Sequence, residues 1–276
     1  MLTWRELRGL ILIIVSFRAH TAPPRKIKAV IRALSSRDPD AMTNASEGLL
    51  EQTVMIGRVP LNQLFAMGDK RWWYNLSMLE NIPNPPILRE CVSGRVKEYA
   101  TISPSTFYIV KVHNEFGGKG VDMRKGNDLP PCTKDYVVQR RLVDCNVDVT
   151  RHFRVTTLFD GTIFAVHDMR ARKLTDIISN GGTQKLCNRQ CANMSVVSTN
   201  ALHTLVNKLA EVHGRQMSNI LSCGWDVMLD CDTLSGRMNA YVLEGNVLHS
   251  ALFPGDGLAA EYRRHVDRYL HKVSSA

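Results

Sequence analysis

Short strand-like segments follow one another along this chain from residue 107, and their order restricts the fold that it can adopt. Six apolar, β-branched segments lie between residues 107 and 248: FYIVKV, DYVVQRRLVD, the two halves of HFRVTTLFDGTIFAVHDMRA, CGWDVMLD and MNAYVLEGNVL. The Asp160-Gly161 pair, between the two halves of HFRVTTLFDGTIFAVHDMRA, is typical of a hairpin turn. Strands in runs, separated by a few helices, predict an α+β fold.

Three segments have the apolar spacing of amphipathic helices. The first lies within residues 61–80, where Asp69 has the position of an N-cap and Lys70 that of the first turn. Residues 196–213 and 258–273 repeat apolar positions three and four residues apart. A proline-rich segment, NIPNPPILREC, ends the first helix and leads into extended chain. A polar, glycine-containing stretch, SNGGTQKLCN, is predicted to be a link before the helix at 196–213.

The length and the charge distribution suggest three regions. With 44% hydrophobic and 22% charged residues among 276, the chain has the composition of a globular protein. We predict a basic, partly flexible N-terminal region over 1–60, a main domain over 61–257 and a C-terminal amphipathic helix over 258–276. Much of the formal net charge of +9 falls in the first 37 residues, where eight arginines and lysines face only Glu6. Because the excess is local and no nucleic-acid motif accompanies it, we expect no nucleic-acid partner.

Two features bear on localisation. The seven cysteines are odd in number and irregular in spacing, which indicates reduced thiols in a cytoplasmic protein. No segment of the sequence reaches the roughly 18–20 apolar residues of a membrane span. Residues 9–17, GLILIIVSF, have the length of a signal-peptide core, so a signal or membrane-associated leader is the alternative. Asn-x-Ser sequons begin at Asn44, Asn75 and Asn193, and they matter only in a secreted protein.

A zinc site built from cysteines is the less favoured alternative to free thiols. Four of the seven could be drawn as its ligands: Cys187, Cys191, Cys223 and Cys231. Their spacing matches no common zinc-ligand pattern.

The segment YIVKVHNEFGGKGV raises the question of function. It places Lys111 inside an apolar strand, and a bare lysine there is unfavourable unless an anion meets it. The glycines that follow allow backbone N–H groups to crowd around a ligand such as a phosphate. A nucleotide is the first interpretation, and a hairpin turn with solvated lysines is the other.

Oxygen-bearing side chains mark the last two predicted strands. Glu244 and Asn246 are two residues apart, so they point to the same face. If Asp226 lies on a neighbouring antiparallel strand, three oxygen ligands converge there. Such a set suits Mg²⁺, which completes its shell with water and phosphate.

Taken in order, these motifs resemble the ATP-grasp fold, in which two α+β subdomains grip a nucleotide. The resemblance covers roughly residues 61–257 and is carried by MGDKRWWYNL, YIVKVHNEFGGKGV, YVVQRRLV, GWDV and VLEGN. The GWDV and EGN motifs, the SNGG link and GGKGV are most similar to the sugar-transfer-associated subfamily. Before this module the chain has only a short basic region.

The resemblance implies roles for individual residues. Lys70 and Lys111 match lysines that contact the nucleotide phosphates. The lid above them matches three glycines: Gly117, Gly118 and Gly120. The hinge that reads adenine matches Gln139, Arg140 and Leu142, and the Mg²⁺ ligands match Asp226, Glu244 and Asn246.

Less specific matches concern the transferred phosphate. Arg154 matches a strand residue that faces the γ-phosphate or the carboxylate substrate, and it is a catalytic candidate together with Lys111. Arg170 and Lys173 are further candidates.

The implied activity is that of an ATP- and Mg²⁺-dependent ligase. A carboxylate would be activated as an acylphosphate and attacked by an amine or similar nucleophile; the substrates are small molecules or glycan-linked groups, as in polysaccharide biosynthesis. Phosphoryl transfer needs charge neutralisation and alignment more than covalent chemistry, and lysines, backbone donors and Mg²⁺ provide these. The alternatives are a degenerate ATP-grasp module that binds nucleotide or a protein partner without turnover, and a kinase of the same fold.

Overall fold

The structure is a computed structural model of the chain. It describes residues 69–113, 120–143, 151–171, 182–187, 194–232, 237–247 and 257–274, together with residues 59, 63, 66, 67 and 235. Apart from Val59, the predicted N-terminal region lies outside these residues. No helix in the described part of the chain is both long enough and apolar enough to cross a membrane.

The first of two sheets is small and antiparallel. In spatial order its strands are β2 (Arg95–Glu98), β1 (Ile87–Val92), β5 (Tyr136–Arg140), β3 (Phe107–Val112) and β4 (Val121–Lys125). One face holds a small apolar cluster around Tyr108, Val110 and Val138. Lys111 and Gln139 lie on the opposite face, because successive side chains of a strand point to opposite sides.

The second sheet is also antiparallel and forms the larger part of the molecule. Its spatial order is β10 (Arg237–Asn246), β9 (Ser222–Asp232), β6 (Arg151–Leu158), β7 (Ile163–Ala171) and β8 (Gly182–Leu186). The predicted hairpin between β6 and β7 is confirmed. Gly161 has a φ of 78° at its turn, a conformation that glycine adopts without strain. The Thr162 N–H donates to the Asp160 carboxylate at 3.1 Å and closes the turn.

Helices cover one face of the second sheet. They are α1 (Lys70–Leu79), α2 (Val196–Gln216) and α3 (Ala259–Ser274). The core between sheet and helices is large and apolar, and it includes Phe153, Leu209, Trp225, Tyr262 and Tyr269, none of which is measurably exposed. Each such side chain contributes roughly 1.5–3 kcal/mol relative to an exposed position. The site face of the second sheet is therefore held by a rigid layer behind it.

Most elements agree with the sequence predictions, and the α+β class is confirmed. Asp69 is the N-cap of α1, where its carboxylate accepts the Arg71 N–H at 2.8 Å. The helices predicted at 196–213 and 258–273 correspond to α2 and α3. The prediction that SNGGTQKLCN is only a link is wrong, because β8 lies within it and pairs with β7.

The cysteines also differ from expectation. Cys91 of β1 forms a disulfide with Cys132, 5.6 Å away between Cα atoms, behind the small sheet. Cys187 and Cys231 are each disulfide-bonded as well, whereas Cys223 is buried and not part of a disulfide. The prediction of reduced thiols is therefore wrong for four cysteines. A disulfide-bonded cysteine cannot also be a thiolate ligand, so Cys187 and Cys231 do not supply a zinc site in this state.

A chain of hydrogen bonds crosses the core beneath the second sheet. The Trp225 indole N–H donates to the Thr157 hydroxyl at 2.7 Å, and that hydroxyl lies 2.8 Å from His213 Nδ1. His213 Nε2 lies 3.0 Å from the Ile220 carbonyl, which can only accept. Because an indole only donates and a carbonyl only accepts, the chain has one consistent direction, and His213 is neutral with its proton on Nε2.

This arrangement predicts that acid weakens the fold. Burial lowers the pKa of His213 to about 4, with the two hydrogen bonds opposing the shift, whereas an unfolded histidine titrates near its ordinary value of 6.5. Between these values the unfolded state binds the proton and the folded state does not, so stability falls as pH decreases. Urea denaturation should show a loss of about 2 kcal/mol from this residue between about pH 7 and pH 4.5.

The matched variant is His213→Gln, whose amide preserves a donor and an acceptor but does not titrate. Its stability should decrease less steeply over the same interval. Equal pH dependence in wild type and variant would show that His213 does not remain neutral in the folded protein.

Candidate functional site

Lys111 links the two sheets, and the region between them on its side is called the cleft below. From β3 of the small sheet, its ammonium donates to the Leu243 carbonyl of β10 at 3.4 Å. Lys70, the first residue of α1, donates to the Val112 carbonyl at 2.8 Å. The structure therefore brings together the two lysines that the sequence assigns to phosphates.

Lys111 has an unusual environment for a lysine. It is 7% exposed, and no carboxylate of a described residue lies within 4.0 Å of its ammonium. Burial lowers its pKa to about 8; the Glu244 and Asp226 carboxylates oppose this shift, and Lys70 adds to it. A buried ammonium with a single long hydrogen bond is unfavourable by itself, so this position attracts an anion.

The opposite wall of the cleft carries a partly buried ion pair. Arg154 of β6 and Asp226 of β9 are direct partners in the sheet register. The guanidinium Nε lies 2.6 Å from Asp226 Oδ1, and Nη2 lies 3.0 Å from Oδ2. Burial by itself would lower the pKa of Arg154, but the Asp226 carboxylate outweighs it and the pKa is raised. Two parallel charge-assisted hydrogen bonds fix both side chains.

The three predicted metal ligands lie on this same wall. Glu244 of β10 is the register partner of Asp226, and Asn246 is the partner of Gly224, two residues from Asp226. A bulge between Val242 and Glu244 sets this alignment. The antiparallel pairing of β9 with β10, on which the predicted metal site depends, is present.

The donor set fits a magnesium ion. All three side chains offer oxygen, the ligand atom that Mg²⁺ takes in proteins. Glu244 and Asn246 make no side-chain hydrogen bond or ion pair with a described residue. The Asp226 carboxylate accepts two hydrogen bonds from Arg154, so a metal held by this set would share that carboxylate with the arginine.

Two residues of this wall were not predicted from the sequence. His152 and Thr156 flank Arg154 at two-residue spacing on β6, which puts all three on one face. His152 Nε2 is 3.7 Å from Asp226 Oδ1, and burial lowers the pKa of this histidine while Asp226 opposes the shift. The buried Thr156 hydroxyl has no hydrogen-bond partner among the described residues. The alternation of polar residues in an otherwise apolar strand was the signal that could have found them.

The hinge between the sheets is held by Asp230 of β9. Its carboxylate accepts from the Arg140 guanidinium at 2.6 Å and from the Val143 N–H at 3.0 Å. Gln139 is buried on the cleft side, where its amide donates to the Pro85 carbonyl at 3.1 Å and its Oε1 has no partner in the described part of the chain. Leu142 is buried. Of the predicted adenine-reading residues, Arg140 thus joins the two sheets and is already paired with Asp230.

The remaining predicted residues are distributed as follows. Gly120 precedes β4 with a φ of 67°, and its carbonyl accepts the Val112 N–H at 2.7 Å. Gly117, Gly118 and Lys173 lie outside the described residues. Arg170 pairs with Asp168 at 2.9 Å. Asp168 is the register partner of Phe153, so this pair lies on the face opposite Arg154, away from the cleft.

A close contact fixes α1, and with it Lys70, against the site. Trp73 of α1 packs against Gly245, so near that a Cβ at this glycine would be 2.3 Å from the indole ring. The Trp73 indole N–H donates to the Met67 carbonyl at 2.6 Å. Only glycine fits between Glu244 and Asn246 without moving the helix.

Comparison with known proteins gives structural likeness only. No family model matches the chain, and no curated protein sequence matches it. D-alanine–D-alanine ligase from Bacillus anthracis, solved with ATP, matches with a TM-score of 0.49 and 12% identity over 76% of this chain and 66% of that one. D-cycloserine synthetase DcsG matches with a TM-score of 0.48 and 15% identity over 76% of this chain and 73% of that one.

A third match is the ATP-grasp ligase PsnB, solved with a precursor peptide and AMPPNP. Its TM-score is 0.44 and its identity 14%, over 73% of this chain and 59% of that one. The chain thus spans just under two thirds of the Bacillus anthracis ligase and less of PsnB. These structures give no support to the sugar-transfer-associated subfamily.

Proposed function

We propose that this chain is a Mg·ATP-dependent carboxylate–amine ligase of the ATP-grasp type. The observation that carries the proposal is Lys111, a buried ammonium without a carboxylate in contact among the described residues. Such a group is suited to an anion that enters and leaves, whereas a structural lysine would have a permanent partner. The order of sequence motifs that resembles ATP-grasp proteins indicates that this anion is the phosphate chain of a nucleotide.

Each cleft residue has a role in this proposal. Lys70 and Lys111 would bind phosphate oxygens, and Glu244 and Asn246, together with Asp226, which also pairs with Arg154, would hold Mg²⁺. The metal would neutralise phosphate charge. Gln139 and Leu142 would line the adenine side.

The chemistry proceeds in two transfers. A substrate carboxylate oxygen attacks the γ-phosphorus of ATP, the bond to the β,γ-bridging oxygen breaks, and ADP leaves. An amine nitrogen then attacks the carbonyl carbon of the acylphosphate, inorganic phosphate leaves and the nitrogen loses a proton. Arg154 stabilises the negative charge that the transferred phosphoryl group spreads over its oxygens. The carboxylate and the amine are small molecules or groups attached to a glycan, as the sequence resemblance suggests.

One observation favours a degenerate module instead. Asp226 is already neutralised by the two hydrogen bonds of Arg154, which is the arrangement expected if no metal were needed. In that case the cleft would bind a nucleotide or a protein partner without turnover. Binding and turnover must therefore be measured separately.

The test is calorimetry of ATP binding with and without Mg²⁺, on wild type and Glu244→Gln. We expect wild type to bind more tightly with the metal, and the variant to lose about tenfold or more of that affinity because one anionic ligand is gone. Glu261→Gln, an exposed change on α3, is the matched control and should bind as wild type does. Absence of nucleotide binding by wild type would refute the proposal.

If ATP binds, phosphate release in a screen of carboxylates and amines decides the reaction. Amide formation coupled to phosphate release supports the ligase. Phosphorylation of a hydroxyl group supports a kinase of the same fold, and binding without any turnover supports the degenerate module.

A further inference from the structure

We infer that Asn75 is an N-glycosylation acceptor and that the chain folds in an oxidising, glycosylating compartment. This inference stands apart from the proposed nucleotide chemistry, because it rests on the disulfides and on the outer face of α1. The sequence from Asn75 to Ser77 is Asn-Leu-Ser, a sequon for N-linked glycans.

The disulfides indicate the compartment. Cys91 and Cys132 are joined across 41 residues of sequence, and Cys187 and Cys231 each take part in a disulfide as well. Structural disulfides persist in the secretory pathway and outside the cell, and they are rare where glutathione keeps thiols reduced. The bridge behind the small sheet ties β1 to the segment that enters β5, so it supports the strands that carry Lys111 and Gln139.

The sequon has the geometry of a modified position. Asn75 is exposed in the middle of α1, and its side-chain amide makes no hydrogen bond with another described residue. The buried face of the helix carries Trp73 and Ser77, which are 5% and 2% exposed. A glycan at Asn75 would therefore extend into solvent without disturbing the core or the contact with Gly245.

The neighbouring surface gives a second, independent argument. Met78 and Leu79 are 63% and 80% exposed, three and four residues after Asn75. Residues at these spacings are neighbours on a helix surface. An attached oligosaccharide would cover this apolar surface, which in the bare protein faces water.

Burial of Ser77 fixes the order of events. The transferase must read the serine hydroxyl, and in the folded protein that side chain is 2% exposed. Modification must therefore precede the folding of α1. Asn75 Nδ2 forms a bond to C1 of the first sugar, the C1–O bond to a polyprenyl-diphosphate-linked oligosaccharide breaks, the lipid diphosphate leaves, and the amide gives up one proton.

The experiment expresses the full chain with its own N-terminus in eukaryotic cells and analyses the purified protein. Peptide-N-glycosidase in ¹⁸O water converts a glycosylated asparagine to labelled aspartate, which mass spectrometry assigns to position 75 separately from Asn44 and Asn193. Non-reducing peptide mapping of the same sample should recover the Cys91–Cys132 bridge. We expect labelled aspartate at position 75 in most of the protein.

Matched variants distinguish the effect of losing the glycan from the effect of changing the side chain. Asn75→Gln and Ser77→Ala should each lose one glycan in the mobility pattern, whereas Ser77→Thr should retain it. Both non-glycosylated variants should aggregate more readily than wild type at equal concentration. Unmodified Asn75 in the wild-type protein, whether its cysteines are bridged or reduced, overturns the inference, and neither result affects the test for nucleotide binding.

Discussion

Lys111→Met is expected to weaken nucleotide binding strongly and, in the same protein, to increase the stability of the fold. Methionine preserves the apolar stem of the lysine and removes the ammonium that burial disfavours. Loss of the charged contact to phosphate should weaken Mg·ATP binding by about 100-fold, or about 2.7 kcal/mol. The gain in unfolding free energy near pH 7 should reach up to about 3 kcal/mol, since the pKa of Lys111 is lowered from 10.5 to about 8.

The pH dependence provides an internal check. Between the folded pKa of about 8 and the unfolded value of 10.5, the unfolded chain binds the proton and the folded chain does not. Wild-type stability should therefore rise across this interval, and the advantage of Lys111→Met should shrink. Calorimetry and urea denaturation at several pH values measure both effects.

The control is Lys97→Met, an exposed lysine on β2 of the same sheet. We expect it to leave nucleotide affinity unchanged and to alter stability by no more than about 0.5 kcal/mol. If Lys111→Met binds Mg·ATP as tightly as wild type, Lys111 does not contact the nucleotide and the proposed function loses its main support.

The second large effect is expected from a single methyl group. Gly245→Ala would place a Cβ 2.3–2.6 Å from three ring atoms of Trp73. The indole cannot easily move, because it donates to the Met67 carbonyl and packs edge-on against Trp225 at 5.2 Å. Such overpacking should cost about 3 kcal/mol, measured by urea denaturation.

The same change should also weaken nucleotide binding by about tenfold, because α1 carries Lys70 and would be displaced from the cleft. The matched background is Trp73→Leu, where the smaller side chain leaves space for the methyl group. In that background Gly245→Ala should lower the free energy of unfolding less than it does in wild type. The difference, the coupling energy of the two changes, should be about 1 kcal/mol or more. Additive losses would show that Trp73 is not what the methyl group meets.

Sequence reasoning located the apolar strands that pair with a neighbour on both sides. It failed for strands whose sequences have no clear apolar pattern. β3, β6 and β9 are central strands with long apolar runs, and their patterns identified them. The missed strands β2, β4 and β8 all lie at sheet edges. An edge strand pairs on one side only and tolerates charged residues, so β2 with its four exposed residues has no apolar pattern to detect.

The candidate site divides in the same way. Asp226 and Glu244 lie together because side chains alternate along a strand and the two strands pair antiparallel. Residue spacing in the sequence is enough to indicate this. The fork from Arg154 to Asp226 and the proximity of His152 depend on which strand lies beside which, and that is set by tertiary packing. Disulfide bonding was also beyond reach, since an odd count of cysteines does not reveal which pairs approach within bonding distance.

The three neighbouring indoles give this protein an intrinsic optical probe of its cleft. Trp72 and Trp73 are 4.8 Å apart and Trp73 and Trp225 are 5.2 Å apart, each pair nearly perpendicular. Trp73 also lies against Gly245, the residue between Glu244 and Asn246. A displacement of α1 on ligand entry would therefore change tryptophan emission and near-ultraviolet circular dichroism, so that occupancy could be followed without any attached label.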